Sequence, residues 1–70
     1  MPRIPGVPHQ RAIAALQRAG FKIIRQGKHV IMSNGVRTVV VPRANPVHAV
    51  TMGIIVRDSG LSVERFKSLL

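Results

Sequence analysis

Cysteine is absent from this 70-residue sequence. That excludes a disulfide framework and a thiolate zinc site. Acids are almost as scarce, with only Asp58 and Glu64 present. Two carboxylates cannot build a carboxylate-rich magnesium or calcium site, nor the two-metal centre of a nuclease. Set among basic neighbours, they also make a poor acid/base pair for glycoside hydrolysis. The three histidines are isolated from one another, which argues against a structural zinc. There is no Trp or Tyr and the only aromatics are Phe21 and Phe66, which argues against an aromatic platform for splayed bases. No apolar run approaches the ~18 residues needed to span a bilayer. Residues 1–8 hold an arginine and three prolines but no apolar stretch, unlike a secretory signal, so a cytoplasmic location is expected.

What the sequence has in excess is positive charge. Eleven Lys and Arg face the two acids, for a net charge of +9. The cations are not a tail: they recur from Arg3 to Lys67. A polyanion relieves the self-repulsion of such a chain, so nucleic acid is the first candidate partner and an acidic protein the second. At 46% apolar the composition is globular rather than disordered. The length suits one small domain over residues 1–70, with about 60% of the open chain's surface buried.

Pro2, Pro5 and Pro8 forbid regular helix at the start, so residues 1–7 are expected to be an extended lead-in. A helix is predicted over residues 8–19, with Ala12, Ile13, Leu16 and Ala19 on one side and Gly20 ending it. Phe21 to Arg25 is a first strand, broken at Gln26-Gly27, and Lys28 to Ser33 a second. Asn34-Gly35 predicts a hairpin turn with both turn positions at positive φ. Val36 to Val41 forms the third strand of an antiparallel meander. A second apolar helix is predicted from near Thr51 to Gly60. A short C-terminal helix follows, with Ser62 as its N-cap and Leu61 stapled to Phe66. The economical packing is an α+β fold of α-β-β-β-α order, with both main helices on one face of a three-stranded antiparallel sheet and the other face open. That is the layout of double-stranded-RNA-binding (dsRBD-like) domains. Alternation along the second strand then sends Val30 and Met32 to the core and His29, Ile31 and Ser33 to the open face.

His29 stands out among the histidines. It follows a glycine break at a strand start, with Lys28, Arg25 and Arg37 as neighbouring cations. A neutral imidazole can take a proton from a ribose 2′-hydroxyl, and the imidazolium can return one. Cations beside it can hold a phosphate and stabilise developing charge. Taken alone, a single strand histidine reads more readily as an ordinary surface side chain. His9 and His48 are expected to be solvent-exposed, and either becomes a second proton-transfer group only if the fold brings it to His29. Arg43, just past the third strand, is a candidate phosphate ligand.

These residues resemble a known family. Ala19-Gly20-Phe21 followed by Arg25-Gln26-Gly27-Lys28-His29 is similar to an "AGF…RQGSH" segment. Val41-Pro42-Arg43 with Asn45-Pro46-Val47 is similar to "VPRHNPV". Thr51-Met52 and Ile55-Val56-Arg57-Asp58-Ser59-Gly60-Leu61 resemble "TM…IVRDAGL". Together, from about Pro8 to Leu70, they resemble the HicA (YcfA-like) toxins, the mRNA interferases of HicAB toxin–antitoxin modules. The resemblance implies a dsRBD-like fold, metal-independent cleavage of mRNA without a cofactor, and neutralisation by a HicB-type antitoxin. It also implies that His29 is the catalytic histidine. From their charge and placement, Lys22, Arg25, Lys28, Arg37 and Arg43 are expected to be the RNA-binding cations. Two positions depart from the pattern: Lys28 where relatives often have Ser, and Ala44 where many carry a histidine. A non-catalytic RNA-binding module of the same fold is the alternative. A basic protein–protein adaptor is a third.

Overall fold

The computed structural model describes residues 4–70. The element order is α1 (His9–Arg18), β1 (Lys22–Gln26), β2 (His29–Ser33), β3 (Thr38–Pro42), α2 (Ala49–Ser59) and α3 (Val63–Leu69). The strands form one antiparallel sheet in the order β1-β2-β3, so β2 is central. This is the α+β architecture expected from the sequence.

The sheet is two-faced because its strands alternate. Val30 and Met32 of β2 and Val39 and Val41 of β3 are buried on the helix side. Ala12, Ala15 and Leu16 of α1 and Met52, Ile55 and Val56 of α2 meet them there. Ala15 lies at the centre of the buried stripe of α1, where Ile13 and Ala19 are only half-buried. Phe66 of α3 is fully buried and completes the layer. Arg18 of α1 donates to the carbonyl of Leu69 at 2.6 Å, tying the last helix to the first.

Four local expectations change. First, α2 begins at Ala49, not near Thr51, because the His48 ring accepts from the Val50 N–H at 3.3 Å and caps the helix two residues earlier. Second, only Gly35 has positive φ in the hairpin. Asn34 instead accepts from the N–H groups of Val36 (2.9 Å) and Arg37 (2.7 Å) through its side-chain oxygen. That Asx turn opens the connection to residues 34–37 and delays β3 to Thr38. Third, the lead-in is part of the core: Ile4 and Val7 are buried, and Val7 exchanges main-chain hydrogen bonds with Val47. Its first three residues lie outside the described ones. Fourth, β1 runs from Lys22 to Gln26 rather than from Phe21, which is buried in the core, and β2 starts at His29, because Gly27 and Lys28 form the turn.

Candidate nucleic-acid interface

His29 opens the central strand and is exposed on the open face. Its carbonyl accepts from the N–H of Gly27 at 3.2 Å, which closes the tight β1–β2 turn beneath it. Across the ladder it stands opposite Pro42, the last residue of β3. Arg43 comes next in the chain, and its Nε donates to the Gly27 carbonyl at 3.2 Å. The guanidinium is thereby folded back to the turn that carries Lys28 and His29. Arg25 pairs with Ile31 across β1 and β2, diagonal to His29 on the same face. A diagonal neighbour lies about 7–8 Å away, within reach of a long side chain. One end of the sheet therefore gathers an exposed imidazole with Lys28, Arg25 and Arg43.

Lys22 and Arg37 are at the other end. Lys22 pairs with Ser33, at the far end of β2 from His29. At ~3.4 Å per residue that is about 14 Å away. Arg37 precedes β3 at the hairpin and packs over Gly60, so the nearness of Arg37 to His29 that the sequence invited does not occur. Both cations remain exposed, but only Lys22 shares the open face, through its pairing with Ser33, whereas Arg37 leans over Gly60 at the end of α2.

The other histidines are engaged locally. His9 opens α1, where its N–H donates to the Ala44 carbonyl at 3.1 Å and its Nδ1 lies 3.1 Å from the Asn45 side-chain oxygen. His9 is thus linked to the segment that follows Pro42, but from the helix side of the sheet. His48 caps α2. Asn45 and the Gly27 carbonyl are the positioning groups that sequence reasoning missed. No spacing rule signals them, because both act on residues distant in the chain. Among the described residues no three His, Asp or Glu side chains cluster as metal ligands would.

A small basic α+β protein with one open sheet face and an exposed histidine at its end is the class these features define. The pattern of the HicA toxin of bacterial toxin–antitoxin systems matches residues 10–61. The chain belongs to that toxin family. No curated protein and no solved structure matches it. No helix among the described residues is long and apolar enough to cross a membrane.

Proposed function

We propose that this toxin is a metal-independent endoribonuclease that cleaves mRNA in the cytoplasm, with His29 as its general base or acid. The observation that carries the reading is the exposed His29 ring at the sheet end where Arg43 is tied back to the Gly27 carbonyl. Lys28, Arg25 and Arg43 hold the phosphate beside the imidazole. Lys22 and Arg37 extend the contact to the neighbouring backbone. In the reaction the ring takes the proton of a 2′-hydroxyl, and that oxygen attacks the adjacent phosphorus. The bond to the 5′-oxygen breaks, and the leaving oxygen takes a proton from water, to which the imidazolium returns its own. The products are a 2′,3′-cyclic phosphate and a 5′-hydroxyl. This route moves protons and needs no metal to activate the nucleophile. A HicB-type antitoxin, acidic enough to complement the +9 chain, holds the toxin inactive.

The test incubates the purified chain with a long RNA in EDTA. New ends bearing 5′-hydroxyls are expected from the wild type and none from His29→Ala, which also loses toxicity in cells. Salt-sensitive binding without new ends would return the reading to a non-catalytic RNA-binding module. No affinity at low salt would return it to a protein adaptor.

A further inference from the structure

The two edges of the sheet are built differently. The β1 edge carries Lys22 and Arg25 and is interrupted by a bulge between Ile23 and Arg25. Charge, bulging and proline are the usual devices that stop a foreign strand from adding to a sheet. The β3 edge has neither charge nor bulge, and its one proline, Pro42, stands at its last position. Its register against β2 is unbroken from Thr38 to Pro42, and the strand Thr-Val-Val-Val-Pro is uncharged in a chain with eleven cations.

Ladder alternation identifies the free main-chain groups. The Asn34 N–H donates to the Arg37 carbonyl at the hairpin, 3.2 Å away. From that pair outward, Met32–Val39 and Val30–Val41 exchange hydrogen bonds, and Ser33–Thr38, Ile31–Val40 and His29–Pro42 do not. Proline at position 42 agrees, since it has no N–H to give β2. The N–H and C=O groups of Thr38 and Val40 therefore point away from β2, along the outer edge. Pro42 ends this row, because its carbonyl already accepts from the Ala44 N–H at 3.0 Å. α2 packs on the buried Val39 and Val41 side, which leaves Val40 48% exposed, while Val36 beside the strand is 90% exposed.

Charge selects the occupant. Arg37 and Arg43 flank the uncharged strand in the chain, and both stay exposed although one packs over Gly60 and the other donates to the Gly27 carbonyl. A second copy of the chain would bring another +9 and set like charges against these arginines. An extended segment with carboxylates at both ends and uncharged residues between them matches the edge in hydrogen bonding and in charge. We propose that the antitoxin adds such a segment to β3 as a fourth strand, hydrogen-bonded at Thr38 and Val40. This rests on the reading that an antitoxin neutralises the chain. The fourth strand would lie about 10 Å, two strand spacings, from the central strand that carries His29. Antitoxin chain leaving it at the Pro42 end is then placed to cross the open face over the imidazole.

The experiment uses the full chain, alone and with the product of the adjacent open reading frame that restores growth to cells expressing it. Amide hydrogen exchange is followed residue by residue. Thr38 and Val40 are expected to exchange rapidly in the free chain and to become protected in the complex. Val40→Pro removes the outward N–H without touching the β2–β3 ladder, and should weaken antitoxin binding by about tenfold or more. The exchange measurement on the wild type stands whether or not that variant folds. If the antitoxin neutralises the chain while Thr38 and Val40 exchange unchanged, the edge assignment fails and the toxin reading survives. Protection of both amides in a dimer of the chain alone would overturn the assignment in favour of a second copy. If no neighbouring product restores growth, the antitoxin reading fails and takes the edge assignment with it.

Discussion

Gly60 shows how much a single residue decides. It closes α2 at φ 78, a left-handed conformation that costs a non-glycine residue about 1–2 kcal/mol. It also leaves room for Arg37: a Cβ at position 60 would stand 2.5 Å from the Arg37 Nε. Gly60→Ala should therefore lower the thermal midpoint by about 4–8 °C for each kcal/mol lost in a domain of this size. Adding Arg37→Ala to it should recover the steric part and leave the backbone part. Thermal unfolding of the wild type and the two variants checks this: a midpoint for Gly60→Ala equal to that of the wild type contradicts the left-handed conformation at position 60, and no recovery in the double variant contradicts the packing of Arg37 on Gly60. The same contact keeps Arg37 at the hairpin, away from His29.

At the scale of elements, the hairpin register divides the cations into two groups. Arg43 reaches the turn below His29 through the Gly27 carbonyl, whereas Arg37 sits beyond the opposite end of β3. If both touch phosphates, Arg43→Ala and Arg37→Ala should each flatten the log–log dependence of RNA affinity on salt by about 0.7. Their effects on cleavage should differ. Of the two, only Arg43 is held at the end that carries His29. If that end is where RNA is cleaved, its removal should lower turnover at saturating RNA by about tenfold, modest because the contact is exposed and hydrated. Arg37→Ala should lower it less. Salt titrations with single-turnover kinetics separate the two, and equal losses of turnover would argue against a reaction centred on His29. Helix boundaries follow the same non-local logic, as the extension of α2 to Ala49 depends on the ring of His48.

The whole molecule is a thin two-layer body whose core draws on residues from both ends of the chain. The family match ends at residue 61, yet Phe66 beyond it is fully buried, and Ile4 and Val7 before it are buried too. A domain of this length has a total stability of about 4–10 kcal/mol. Truncating a buried phenylalanine to alanine costs about 3–5 kcal/mol. Phe66→Ala should thus leave the chain marginally folded or unfolded at 25 °C, measured by urea denaturation followed by circular dichroism. A loss below about 1 kcal/mol would mean that α3 does not complete the core.

By itself the sequence determined the features that depend on near neighbours. Alternation in His-Val-Ile-Met-Ser sent Val30 and Met32 inward and left His29 outward, because pleating has a period of two. Ser62 capped α3 by accepting from the Arg65 N–H at 3.1 Å, as its place before the helix required. The net charge of +9 was legible at once. Tertiary structure alone decided which cations share an end with His29, that Asn45 meets His9, that Val7 pairs with Val47, and that the β3 edge stays open. Those facts depend on strand register and loop closure between residues far apart in the chain, and local periodicity carries no information about either.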